Sequence, residues 1–465
     1  MLLVRRHIRG IVSTSRACLR SFSVLGTVLS HGSKTAVTDI SGISHSYEQL
    51  NKYSKALALD LQRSHGPGIS VIANFNSPGS NYIITTLAAW HLGAAIVPLC
   101  TSHTAAELQY FVEDSSSNVI VSTSDISGKL SGINVPVYEI QDRVGVPSSW
   151  DDEVSPAGCG SASDDAAALI LYTSGTTGRP KGAVHTVAGV LAMVESLVSA
   201  WEYSGEDRIL HFLPLHHLHG VLNKLLCMLY AGGHVEFMQS ASAMSVWRRL
   251  YVEGCRLQSD PLVCNDDQNG NPVSLLMAVP TIYSKLLEAA DLIRHPGASA
   301  AIGGDLLTTQ ELDVALTAVN NLRLVVSGSA AMPPPLMERW HYLAGGKGNL
   351  ILERFGMTEI GMGLSNLYKG ERVPGSVGFP LPGVSARLVD EEEREVHEPD
   401  CSGELRVKGA MVFREYLNKP EATVESFDSH GWFKTGDIAR RDATGRYYIL
   451  GRNSMDIIKV GWRYA

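Results

Sequence analysis

The chain has 465 residues, 45% of them hydrophobic and 18% charged, with a formal net charge of −8. That length supports large buried cores and two to three domains, or one large domain with subdomains. The acidic balance excludes general electrostatic attraction to nucleic acid, and no base-reading module stands out. The seven cysteines, Cys18, Cys100, Cys159, Cys227, Cys255, Cys264 and Cys401, lie far apart, without CxxC pairs. They read as free thiols of a reducing compartment.

In chain order, the first segment is MLLVRRHIRGIVSTSRACLRSFSV, with Arg5, Arg6, Arg9, Arg16 and Arg20 among serines and aliphatics and no acidic residue before Asp39. An acid-free, Arg-rich segment with helical apolar spacing reads as a mitochondrial transit peptide over residues 1–25, which predicts delivery to the matrix. Arg16 and Arg20 interrupt the apolar core that a secretory signal needs. Ser64 to Ala106 carries no Asp, Glu, Lys or Arg. Its Thr85, Thr86, His91 and Pro98 suit a buried helix over 81–92, a stop at Gly93 and a strand over 94–99 better than a membrane span. No transmembrane segment is expected.

Apolar runs at 70–73, 94–99, 119–122, 168–172, 208–212, 275–279 and 322–327 alternate with helical patterns, which argues an α/β layered architecture of mostly parallel strands covered on both faces. The acidic, unpatterned stretch 147–165 reads as a surface loop. It leads into LYTSGTTGRPKG, Leu171 to Gly182, where an apolar strand end meets a loop built for an anion. Gly175 and Gly178 permit φ > 0 and close approach of backbone N–H groups, Thr173, Ser174, Thr176 and Thr177 supply hydroxyl donors, and Lys181 adds a cation. Lys181 is followed by Gly182, so the spacing is not that of a P-loop.

Next, LPLHHLHG (213–220) brings His216, His217 and His219 to a strand-to-helix turn, with no acidic or cysteine partner adjacent in sequence to complete a metal set. The polar, turn-rich stretch 252–272 reads as a loop insertion between a helix and the next strand. Beyond about residue 374 the pattern shifts to shorter strands with Gly and Pro turns, predicting a β-rich subdomain over about 374–450.

Five ordered strings follow the phosphate loop: LPLHHLHG, ERFGMTE (353–359), SGELRVKG (402–409), GWFKTGD (431–437) and GRNSMDIIK (451–459). Together they resemble the adenylate-forming (AMP-binding) superfamily, which includes acyl-CoA synthetases, firefly luciferase and nonribosomal adenylation domains. The resemblance covers about residues 30 to 460. It implies an α/β fold with a large layered domain over 26–450, the β-rich subdomain closing it, and a hinge at 451–465. The family continues into a small α+β domain of about a hundred residues; here Gly461 is followed by Trp462, Arg463, Tyr464 and Ala465, so almost all of that domain is absent from this sequence.

The implied chemistry is attack of a carboxylate on the α-phosphorus of ATP, release of pyrophosphate, then attack of the coenzyme A thiolate on the acyl-adenylate. Catalysis of the first step is chiefly positioning and neutralisation of phosphate charge. By resemblance, Thr173 to Lys181 cradle the β and γ phosphates, Thr358 holds the α-phosphate, Glu359 holds Mg²⁺, and Asp437 with Arg452 takes the ribose hydroxyls. Phe355 replaces the more usual tyrosine under the adenine, beside Gly356. His217 would orient the acid, with His219, Ser327, Gly328 and Met357 around the acyl group.

The strings LHHLHGVLNKLL, MAVPTIY, LRLVVSGSAAMP and ERFGMTEIGM are most similar to the malonyl-CoA synthetases. Arg323 would then pair bidentately with the second carboxylate of malonate, methylmalonate being tolerated. This predicts an acid:CoA ligase serving mitochondrial fatty-acid synthesis. Two readings remain beside it: a medium-chain acyl-CoA synthetase, and an impaired ATP- and acid-binding protein lacking the family's adenylation lysine. The sequence leaves the oligomeric state open.

Overall fold

Strands that are apolar on both faces need layers on both sides, and the chain builds two large sheets around a shared set of helices. A computed structural model describes residues 23–140, 163–173, 179–239, 241–259, 270–295, 306–346 and 351–452, with a short strand pair at 459–460 and 463–464. The amino-terminal segment up to residue 22, the stretch 147–162, residues 174–178 and residues 453–458 lie outside the described residues.

The first sheet has seven strands in the order Glu415–Tyr416, Lys181–Thr186, Ala167–Thr173, Ala95–Pro98, Val71–Phe75, Val119–Thr123 and Val137–Ile140. From Ala167–Thr173 to Val137–Ile140 the neighbours are parallel. Lys181–Thr186 turns back antiparallel and sets Lys181 directly opposite Thr173. The second sheet has nine strands, ordered Phe379–Pro380, Gly361–Ser365, Leu352–Met357, Leu324–Ser327, Leu275–Ala278, Arg208–His211, His234–Phe237, Thr35–Thr38 and Ser44–Ser46. Its interior run is parallel and its edges are antiparallel.

The charge-free stretch is explained by what surrounds it. Helix Ser80–His91 is buried along nearly its whole length, inside a core that joins Ile72, Ile96 and Leu169 of the first sheet to Ile209, Val235 and Met277 of the second. A charge anywhere on this helix would be stranded away from water. Two of its ring side chains are anchored at their polar tips: Tyr82 Oη donates to the Leu215 carbonyl at 2.9 Å and Trp90 Nε1 to the Ala168 carbonyl at 3.0 Å. Truncating Leu87 in this core would cost about 2–5 kcal/mol. Helices Tyr47–His65, Ala105–Asp114 and Thr309–Asn321 each begin at a capping box, with Ser46, Thr104 and Thr308 paired to Gln49, Glu107 and Glu311.

The carboxy-terminal region forms a four-stranded antiparallel sheet, Ser385–Val389, Ser402–Lys408, Phe433–Arg441 and Tyr447–Arg452. Leu388, Leu405, Val407, Phe433 and Tyr447 pack with Ala183 of the first sheet and Ile360 and Leu364 beside the second, so this sheet is docked against both. The expected loop at 252–272 is corrected at its start. Helix Ala243–Leu257 runs through Val252, where Arg249 and Arg256 both pair with buried Glu253, and residues 260–269 lie outside the described residues. No described helix is long and apolar enough to cross a membrane.

Candidate active site

Parallel strands end together, and the loops at their carboxyl ends are where such sheets bind ligands. Here the ends of the two large sheets and one edge of the four-stranded sheet enclose a cleft of about 1310 Å³. Of the residues expected at the site, Thr173, Lys181, His217, His219, Gly356, Met357, Thr358, Glu359 and Arg452 line it. Ser174, Gly175, Thr176, Thr177 and Gly178 lie outside the described residues.

At one end Lys181 and Glu359 are joined through Tyr416, a residue that sequence reasoning missed. Its Oη donates to Glu359 Oε1 at 2.7 Å, and Lys181 Nζ sits 4.9 Å from the centre of its ring. Burial and the Glu359 carboxylate hold the Tyr416 phenol well above its ordinary range, so it stays a donor. Glu359 is buried and lines the cleft together with Thr358, so a carboxylate and a hydroxyl are the oxygen donors available there. That oxygen donor set fits Mg²⁺.

A second region is made by the antiparallel pairing that puts Asp437 opposite Arg452. Arg452 Nε donates to Asp437 Oδ1 at 3.2 Å, and the Asp437 backbone N–H is held by Thr435 Oγ1 at 3.1 Å. The two residues expected to serve the ribose are thus brought together. Phe355 is not among the lining residues; it packs against the cluster of Ile360, Leu364 and Val377.

The remaining end is made by the 213–220 turn and the strand Leu352–Met357. Gly220 is required there, because a Cβ would collide with the Pro214 carbonyl. The eight residues His219–Leu226, Gly220 among them, form a π-helix and all are buried, a distortion that recurs at functional sites. His217 is pushed down to about 4 by burial, aided by His216 and His103, and burial with the Arg354 charge drives His219 well below its ordinary 6.5. Both are neutral imidazoles at physiological pH. Neither ring nitrogen of His219 has a partner among the described residues.

The charged group at this end is Arg354, not Arg323. Arg323 precedes strand Leu324–Ser327, whereas the cleft lies past its other end, roughly 13 Å away for four residues. Its guanidinium grips Asp207 of its own chain, with Nε to Oδ1 at 2.6 Å and Nη2 to Oδ2 at 2.5 Å, and also donates to the Trp201 carbonyl at 2.9 Å. The bidentate geometry expected of Arg323 is present, but its partner is structural. Ser327 is likewise buried outside the lining, its Oγ 3.7 Å from Met332 Sδ.

Arg354 lines the cleft, is only 4% exposed, and has no carboxylate partner among the described residues. Its Nε is unpartnered, and Nη2 reaches Ser329 Oγ only at 3.4 Å. Burial pushes it down to about 10, so it remains cationic at neutral pH. Gly328 makes room for it, since a Cβ there would meet the guanidinium. Ser329 takes φ 70°, a strained conformation for a side-chain-bearing residue. The clue in the sequence was the arginine inside ERFGMTE, one residue before the aromatic that drew attention.

A family model described as AMP-binding enzyme matches residues 27–417. The chain is 38% identical to the mitochondrial malonate–CoA ligase ACSF3 of Mus musculus over 95% of its own length and 75% of that protein's. Among solved structures, ATP-bound MatB from Rhodopseudomonas palustris superposes with a TM-score of 0.75 at 28% identity, over 96% of this chain and 81% of that one. A malonyl-CoA ligase in a ternary product complex with methylmalonyl-CoA and AMP gives 0.71 at 30% identity, over 95% and 83%. The matched span begins in the helix Ser23–Val28, ahead of the first strand, and ends at Tyr416 and Leu417 beside Glu359, which makes this chain a member of the AMP-binding enzyme family and an ATP-dependent acid:CoA ligase.

Proposed function

We propose that the acid is malonate, with methylmalonate tolerated, and that the product is malonyl-CoA. The observation that carries this is Arg354: a buried, cleft-lining cation without a carboxylate of its own. Buried charges demand a partner. A dicarboxylate offers one carboxylate for activation and a second for the guanidinium, which two parallel N–H···O bonds would hold. A fatty acyl chain at the same place would leave Arg354 and both nitrogens of His219 unsatisfied. The similarity to proteins named malonate–CoA ligases supports the same choice.

The residues divide the work by charge. Lys181, with Ser174, Gly175, Thr176, Thr177 and Gly178, receives the triphosphate tail; Asp437 and Arg452 fix the ribose. His217, held neutral, donates one N–H to the reacting carboxylate without adding a charge that would pin it in the ground state. Thr358 steadies the α-phosphate. The carboxylate oxygen bonds to the α-phosphorus as pyrophosphate departs; coenzyme A thiolate then bonds to the acyl carbon and AMP leaves. Mg²⁺, which Glu359 would hold, would supply neutralisation of phosphate charge. The homologues named mitochondrial and the arginine-rich first segment support a place in the mitochondrial matrix, supplying malonyl-CoA to fatty-acid synthesis there.

The test is acid-dependent pyrophosphate release with Mg²⁺·ATP. Malonate should give the highest kcat/KM, methylmalonate less, acetate and octanoate far less. Preference for octanoate would transfer the assignment to medium-chain acids.

A further inference from the structure

We propose that Cys100, His103 and His216 form a binding site for a zinc-class metal ion at the seam between the two large sheets. One ligand atom from each residue lies within 4.8 Å of the other two. Zn–S and Zn–N bonds in a tetrahedral site set donors roughly 3.5 Å apart, so small side-chain rotations complete the set. None of the three lines the cleft, and the ligase reaction uses none of them.

The donors come from places far apart in the chain. Cys100 follows strand Ala95–Pro98 and His103 precedes helix Ala105–Asp114, both on the seven-stranded sheet; His216 lies in the turn after strand Arg208–His211 of the nine-stranded sheet. All three are partly buried. His103 Nδ1 is buried without a hydrogen-bond partner among the described residues, and the His103 and His216 rings stand 5.5 Å apart at 64°. Phe111 backs His103 at 5.0 Å and His217 backs His216 at 4.1 Å, so both imidazoles are packed. The Cys100 thiol shares a hydrogen bond with the Ser102 hydroxyl at 3.0 Å.

One sulfur and two imidazole nitrogens suit Zn²⁺, whereas Mg²⁺ and Ca²⁺ want oxygen, and among the described residues no carboxylate joins the group. The site is therefore separate in chemistry from the Mg²⁺ position at Glu359. On binding, the thiol proton passes to solvent and a Zn–S bond forms; water takes the fourth position. The ion would tie the two sheets together and hold the turn that carries His217.

The experiment is a Co²⁺ titration of the metal-free full chain, followed by displacement with Zn²⁺. Expected are one ion per chain at this site, tetrahedral-strength visible bands, a thiolate-to-cobalt charge-transfer band, and displacement by Zn²⁺ but not by excess Mg²⁺. Cys100→Ser should abolish the charge-transfer band, and His103→Gln should weaken Zn²⁺ by more than the roughly 10–100-fold typical of an outer-shell loss. A spectrum without the thiolate band, or one that survives Cys100→Ser, overturns the site. Alkylation of the unaltered protein gives a readout independent of the variants' folding: Zn²⁺ should protect Cys100 while the exposed Cys401 stays reactive. Equal labelling of Cys100 with and without Zn²⁺ overturns it too.

Discussion

Replacing Arg354 with Met separates substrate recognition from folding. The guanidinium is buried, Nε has no partner and Nη2 makes one long contact to Ser329, so in the free protein there is little bonding to lose. Methionine keeps the unbranched stem and removes an uncompensated buried charge, and such changes are neutral or stabilising. With malonate bound the situation reverses. Two charge-assisted hydrogen bonds at about 1.5–3 kcal/mol each would be absent, a total of about 3–6 kcal/mol. At 1.36 kcal/mol per decade, kcat/KM for malonate should fall by about 10²- to 10⁴-fold. Activity with acetate should change little, and the melting temperature should hold or rise. The assay is pyrophosphate release with both acids, alongside a thermal melt. Equal losses for malonate and acetate in a well-folded variant would refute the assignment of Arg354 to the second carboxylate.

Arg323→Ala should behave in the opposite way, lowering stability by about 3–5 kcal/mol in urea unfolding because buried Asp207 is left unpaired, without selective loss of malonate; selective loss would restore Arg323 to the site. Tyr416→Phe removes the donor to Glu359 and should raise the Kd for Mg²⁺·ATP by about tenfold, the worth of a hydrogen bond to a charged group; unchanged calorimetric binding would remove Tyr416 from the phosphate end. Acid should destabilise the fold through its core histidines. Burial lowers His91 and His185 to about 4 and His211 to about 3. The unfolded chain takes up these protons below its ordinary 6.5 while the native state does not, so stability is lost as pH falls from 6.5 toward 4, by at most about 3 kcal/mol per histidine. Denaturant midpoints that stay level across that window would contradict this.

Much of the architecture was legible because it rests on local pattern. The runs at 119–122, 168–172 and 275–279 became strands Val119–Thr123, Ala167–Thr173 and Leu275–Ala278, and the charge-free stretch became a helix buried on all sides. Glu359, Thr358, Lys181 and the Asp437–Arg452 pair could be found because each sits in a short ordered string. What failed was direction along a strand. Arg323 and Ser327 bracket the same strand, and sequence order says that both are near the site; only the fold shows that the cleft lies beyond one end and Asp207 beside the other. Tyr416 was invisible for a different reason. It belongs to a two-residue edge strand whose pairing with Ala183 brings it to Glu359. Cys100 and His216 likewise meet only through the packing of one sheet on the other, so no spacing rule connects them.

The most direct test is a calorimetric titration of Mg²⁺·ATP into the full chain and into Lys181→Glu. Saturable binding that depends on the metal, and is weakened at least tenfold by reversing the charge at Lys181, is the expected result. Absence of binding, or equal affinity in the two proteins, would contradict the placement of the triphosphate beside Lys181 and with it the roles given to the rest of the cleft.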